Sequence, residues 1–313
     1  MAGEGASGPE AVVALVERWE AAGQRVDGPN GSIWCARFDA RFDVGNPPLL
    51  CLHGFPTNAY DWWPVIEDLR AERDVVVLDV HGFGLSDKPD HRYSIRGYCD
   101  DVEAVIAHLD LAEVDLLTHD MGDTIGGELL ARSLEGASSL RVRRRVVSNG
   151  SIYLDMAQLT AGQQLLLGLP DAIEPLVGAD GGAGFRGGVT GTFAPTTELD
   201  ETSQVGVDVT VALAVRHDGL AALPRTIRYI EDRRAEERRF TGAIESHPSP
   251  VGLVWGDEDP VAVHAMAETF VGARSDAPLI TLDGVGHYPM VEAPERFATA
   301  VLELLDGQLG DRA

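Results

Sequence analysis

The chain has 313 residues, 44% of them hydrophobic, and a formal charge of −25. That length suits one large α/β domain carrying an insertion, or two small domains, with ample material for a core. So acidic a surface repels nucleic acid and anionic lipid, which argues against both as partners.

In chain order, the sequence predicts a leading helix from Ala11 to Ala22, then an antiparallel hairpin turning at Gly28-Pro29-Asn30-Gly31. Short apolar runs follow, each ending in a loop signal. Leu49–Leu52 leads into His53-Gly54, Val75–Leu78 into Asp79 and a glycine loop, and Val114–Thr118 into His119-Asp120. Val146-Val147 leads into Ser148-Asn149-Gly150, Val251–Trp255 into Gly256-Asp257, and Pro278–Leu282 into Asp283-Gly284. Strands alternating with helices imply an α/β fold with a parallel sheet covered on both faces. Ligands of such sheets bind beyond the carboxyl ends of the strands, where each of these loops falls.

The alternation breaks between Ser151 and Ser246, a helix-rich stretch containing a half-glycine segment from Gly178 to Gly191. We read residues 1–150 and 247–313 as two parts of one core, and 151–246 as an inserted helical cap with a mobile glycine-rich loop. That loop neither follows a strand nor opens an obvious helix, which argues against phosphate binding. The arginines of Arg141–Arg145 and of Arg233–Arg239 are expected on the solvated surface. Cys35, Cys51 and Cys99 are an odd number at irregular spacing, expected as small core residues. No cofactor or metal is implied. No apolar run reaches the roughly 18 residues of a membrane helix. The start, Met1-Ala2-Gly3-Glu4, lacks the pattern of a signal peptide, so the expected location is cytoplasmic.

Four segments carry chemistry. Thr118-His119-Asp120-Met121-Gly122-Asp123 sits at a strand-to-helix junction, with small residues two before and two after Asp120. This is the pattern of a sharp elbow that exposes a nucleophile, although Asp120 as a simple helix cap fits equally well. No G-x-S-x-G occurs in the chain. A carboxylate is ordinarily ionised at neutral pH and attacks without a base. Attack on a saturated carbon yields an ester that water can cleave, whereas serine would yield a stable ether.

His53-Gly54-Phe55-Pro56 follows a strand where a backbone N–H can enter an oxyanion hole, with Phe55 and Met121 as the two donors. His287, in Asp283–Pro289, falls between the last strand and the last helix, and is the expected base. Asp259, in Trp255-Gly256-Asp257-Glu258-Asp259-Pro260, is the expected acid that orients it; Asp257, Glu258 and Asp155 compete. His53, Pro56 and His119 are expected to line the site, and Asp79–Asp87 to form a structural loop beside it.

Together these segments resemble the α/β-hydrolase superfamily over roughly Gln24 to Leu305, and within it the epoxide hydrolase and haloalkane dehalogenase branch. HGFP, DVHGFGLSDKP, HDMGD, WGDEDP and GHYP carry the likeness in order and spacing. HDMGDTIGGELLAR, VVSNGSIYL, RYIEDRRAEERR and GHYPMVEAPERF are similar to mesoderm-specific transcript protein-like hydrolases. The resemblance implies an Asp120–His287–Asp259 triad and a small hydrophobic substrate. Dehalogenases of this branch usually carry Trp after the nucleophile and often Asn after His-Gly; this chain has Met121 and Phe55. Epoxide hydrolases use two cap tyrosines as proton donors. Tyr229 resembles the second; the first has no counterpart except the poorly placed Tyr153. The expectation is therefore an epoxide hydrolase-like enzyme. The alternatives are a dehalogenase or other α/β-hydrolase, and a catalytically silent binding protein of the same fold.

Overall fold

The computed structural model describes residues 8–309; the N-terminal Met1–Glu4 reading lies outside them. Eight strands form one sheet: β1 (Gln24–Gly28), β2 (Gly31–Phe38), β3 (Leu49–Leu52), β4 (Val75–Leu78), β5 (Glu113–His119), β6 (Arg141–Ser148), β7 (Val251–Gly256) and β8 (Leu279–Leu282). Their order is β1-β2-β4-β3-β5-β6-β7-β8. β1 and β2 form the predicted hairpin and β2 meets β4 antiparallel; every other pairing is parallel.

The core helices are α1 (Pro9–Ala22), α2 (Trp63–Leu69), α3 (Ile95–His108) and α4 (Met121–Leu134). Between β6 and β7 come α5 (Ala161–Gly168), α6 (Ala183–Thr190), α7 (Glu201–Val215), α8 (Leu223–Thr226) and α9 (Tyr229–Ser246). The chain then returns to α10 (His264–Ala273), α11 (Pro289–Glu292) and α12 (Pro294–Glu303). No described helix is long and apolar enough to cross a membrane.

The apolar runs are continuous because both faces of the sheet are covered. Alternate side chains serve opposite layers. Leu50, Leu52, Val76 and Leu78 pack into the core shared with α3, α4 and α9. Leu49, Cys51, Val75 and Val77 pack into the one shared with α2 and α12. All three cysteines are free and buried, as their composition suggested, and burial pushes their thiols up.

Two expectations need correction. The glycine-rich stretch is not all loop, because α6 runs through it from Ala183 to Thr190. Nor are the arginine runs simply solvated. Arg141–Arg145 belongs to β6, and Arg145 is buried. Its guanidinium donates to the carbonyls of Ile244, His247 and Ser249, satisfying backbone groups where α9 ends. In the second run, Arg239 bridges the fully buried Glu128 of α4 at 2.5 Å and Glu135 at 2.5 Å. Arg132 and Arg96 also pair with Glu128. Open carbonyls at the end of α9 and the buried charge of Glu128 overrode the surface preference that the sequence pattern suggested.

Glu128 thus ties α9 to α4, the core helix that follows Asp120. Glu128→Gln leaves three guanidinium groups without their shared carboxylate. We expect a loss of about 3 kcal/mol in unfolding free energy, read by denaturant titration; a loss under 0.5 kcal/mol would contradict this account.

Candidate active site

β5 ends at His119, and the chain turns at once into α4. Asp120 sits in that turn at φ 49° and ψ −115°. A non-glycine residue held there stores strain of order 1–3 kcal/mol. Its side chain makes no helix-capping hydrogen bond, which sets aside the simple cap. Instead Asp120 Oδ2 accepts the backbone N–H of Phe55 at 2.8 Å. Two glycines make the approach possible. A Cβ on Gly122 would lie 2.3 Å from the Leu52 carbonyl oxygen, and one on Gly54 would lie 2.7 Å from Asp120 Cβ. The Phe55-Pro56 peptide is cis, Phe55 is buried and Pro56 half-buried. Met121 opens α4, where a first-turn N–H has no intrahelical acceptor.

Asp120, His287 and Asp259 come together from three loops beyond the strand ends. His287 Nε2 lies 3.9 Å from Asp120 Oδ1, the oxygen not taken by Phe55. His287 Nδ1–H donates to Asp259 Oδ2 at 2.8 Å. Asp259 Oδ1 accepts the N–H groups of Val261 and Ala262 at 2.7 and 3.0 Å, so its orientation is fixed from both sides. The competitors lie elsewhere. Asp155, Asp257 and Glu258 are exposed, and Asp257 accepts the Gly284 N–H.

Burial by itself would lower the pKa of His287. The adjacent Asp259 carboxylate outweighs it, and with Asp120 and Glu292 raises the ring to about 9. His119 goes the other way: burial, then the charge of His287, lower it to about 4. It is a neutral neighbour whose Nε2–H donates to the His287 carbonyl at 2.7 Å. His53 is also lowered by burial; its Nδ1–H donates to the Gly54 carbonyl at 2.8 Å. The Asp79 loop is structural: its carboxylate accepts Ala59 and Leu85 N–H groups at 2.7 Å each.

Tyr229 is 1% exposed and its ring packs 5.6 Å from that of Phe55. Burial, and next the charge of Asp120, push its phenol well up, which places the cap tyrosine in the electrostatic range of Asp120. Tyr153 is occupied elsewhere, donating to Glu245 at 2.7 Å.

Four residues escaped the sequence reading. Asn149, at φ 45°, donates to Asp259 Oδ2 at 2.8 Å and accepts the Gly256 N–H at 3.0 Å, tying the ends of β6 and β7 together. Glu292 accepts the N–H of Gly286 and of Ala194, and the hydroxyl of Thr197, clipping the cap to the His287 loop. Arg233, one helical turn beyond Tyr229, is buried, reaches the Ser151 carbonyl and interacts with the Tyr229 hydroxyl. Asp61 is buried near the triad. The adjacency of Asn149 to Gly150 after a strand was the one legible signal.

Two outcomes are expected. Asn149→Gly keeps the backbone conformation and deletes the amide, so kcat should fall about ten- to a hundredfold with KM little changed. Folding raises His287 from 6.5 to about 9. The stability it contributes is complete below about pH 6.5 and lost as pH rises through about 9. Thermal unfolding should fall across that window, and less steeply in His287→Gln.

A family model described as alpha/beta hydrolase fold matches residues 47–294. "Putative hydrolase LipZ" of Mycobacterium tuberculosis is 38% identical over 260 residues, 83% of this chain and 88% of that protein. Mesoderm-specific transcript homolog protein of Bos taurus is 33% identical over 273 residues, 84% and 80% of the two chains. Among solved structures, the enol-lactonase from Burkholderia xenovorans LB400 superposes with a TM-score of 0.72 at 17% identity, covering 90% of this chain and 100% of that one.

Proposed function

Because this chain belongs to the α/β-hydrolase fold family and is a hydrolase, we propose that it works through Asp120 as the nucleophile and an alkyl-enzyme ester, with epoxides as the favoured substrates. The observation that carries this reading is the division of labour within one carboxylate. Asp120 Oδ2 is held by the Phe55 N–H, while Oδ1 faces His287.

In the first step Oδ1 attacks a saturated ring carbon and the carbon–oxygen bond of the epoxide breaks. The leaving oxygen stays attached to the product as an alkoxide and needs a proton, which Tyr229 supplies. In the second step water attacks Cγ of the ester, and the Cγ–Oδ1 bond breaks to release the diol with Oδ1. The developing oxyanion is then Oδ2, already beside Phe55 N–H, with Met121 N–H as the second donor. Each such donor is typically worth about 3 kcal/mol.

The charge on His287 times the two steps. In the resting site Asp120 helps to hold the imidazole proton. Esterification removes that negative charge, so the ring's proton affinity falls. The ring then gives up its proton, which restores the Tyr229 phenol; the neutral ring takes a proton from the attacking water, with Asp259 stabilising the cation, and passes it to the leaving oxygen. Met121 and Phe55 stand where halide-binding side chains occur in dehalogenases, so oxygen is favoured over halogen as the leaving atom.

Repeated turnover in heavy-oxygen water should place label in the Asp120 side chain. His287→Gln should accumulate a substrate adduct seen by intact mass. Label confined to product, with Asp120→Ala still active, would refute the nucleophile. Tyr229→Phe should cut epoxide turnover about a hundredfold while sparing any haloalkane turnover; equal losses on both would remove the case for epoxides.

A further inference from the structure

Beside the triad, but not containing it, lies a cleft of about 680 Å³ between α1, α2, α7 and α11. That volume is in the range of small-molecule sites. Tyr60, Trp63, Phe193 and Tyr288 offer aromatic surface to it. One residue in its wall has no structural explanation. Asp61, in the short turn Ala59–Trp62, is 3% exposed. Its Oδ2 accepts the Thr57 hydroxyl, and no described donor reaches Oδ1. Oδ1 is not among the described buried polar atoms that lack a partner, so it opens on the cleft and is not sealed inside the protein.

We propose that this cleft binds an organic cation, an ammonium group on an apolar or aromatic body, with Asp61 as its anchor. Three observations choose a cation. The free Asp61 oxygen can only be completed by a positive or hydrogen-bond-donating partner when ionised. Aromatic faces attract cations, and the cleft already shows this, with the Arg18 guanidinium 5.3 Å from the Trp63 ring centre. The rim adds Glu67, Asp200 and Glu201 against the single Arg18. An anionic ligand would meet repulsion on every side but one.

The groups facing Asp61 set the pH dependence. Burial raises its carboxyl most; Thr57 opposes, Asp79 and Asp120 raise it, and His287 lowers it, leaving it at about 8. The raised carboxyl holds its proton more readily than an ordinary aspartate, and a cation beside it favours release of that proton. Affinity rises as pH passes through about 8. The turn is held by the Asp79 carboxylate, which accepts the Ala59 N–H, and by Asn58 Nδ2–H, which donates to the Thr210 carbonyl on α7.

The inference goes beyond the ester mechanism, and its test reads binding without turnover. The probes are benzyltrimethylammonium, a permanent cation, uncharged benzyl alcohol, and anionic benzoate, each titrated calorimetrically into the whole protein. The cation should bind about tenfold more tightly than the alcohol, the scale of one desolvated cation–π contact, with benzoate weakest. Its affinity should increase from about pH 6 to about pH 9, with proton release. Asp61→Asn should abolish the preference and the pH dependence. The rim pair Glu67→Gln and Glu201→Gln should weaken cation binding severalfold and reduce its salt sensitivity; that pair and the pH series decide the matter if Asp61→Asn fails to fold. Equal affinity for alcohol and cation, an affinity that falls with pH, or an unchanged Asp61→Asn would overturn the proposal.

Discussion

A single 2.8 Å hydrogen bond, from the Phe55 backbone to Asp120 Oδ2, is the constraint from which the site is built. It joins the loop after β3 to the elbow after β5, two neighbouring strands of the sheet. To make it, Asp120 occupies a backbone conformation that costs free energy, and Gly54 and Gly122 give up side chains. The gain is geometric. One carboxylate oxygen is committed to backbone N–H, and the other is left to face His287. A freely rotating carboxylate would not distinguish the two.

The surroundings keep that arrangement dry and charged. Asp120 and His287 are 2% and 3% exposed, so their mutual field is weakly screened. Three acidic groups, Asp259, Asp120 and Glu292, act on one raised imidazole, and Asp79 and Asp120 act on the nearby Asp61. The local excess of negative charge explains why His287 is raised despite burial, and why Asp61 is raised by its neighbours as well as by desolvation. The cap completes the enclosure through charge rather than apolar contact alone: Arg239 on Glu128, Arg233 on Ser151 and Glu292 on Gly286 and Ala194. Arginine suits these positions because its fork can satisfy several acceptors at once.

Much of the architecture was legible because it follows from periodicity. Apolar runs such as Val75–Leu78 predict strands covered on both faces, and the loop after each marks the functional edge of the sheet. The elbow, His287 and Asp259 could be picked out since each occupies a loop beyond a strand end. What failed was the reading of charge. The β6 arginines looked solvated because a single sequence does not display the carbonyls at the end of α9 that Arg145 satisfies. The helix α6 was missed because its glycines argue against helix on propensity alone.

The sequence by itself determined the α/β fold, the segments that become its strands and which loops beyond them carry an aspartate, a histidine and an acid. Those follow from local hydrophobic pattern and turn chemistry, which are short-range properties of the chain. Only the tertiary structure decided that Asp259, not the exposed Asp155 or Asp257, meets His287. It alone placed Asn149 on Asp259 and left an oxygen of Asp61 free in the wall of a cleft. These depend on distances and on desolvation between residues far apart in the chain, and neither quantity exists until the strands are assembled.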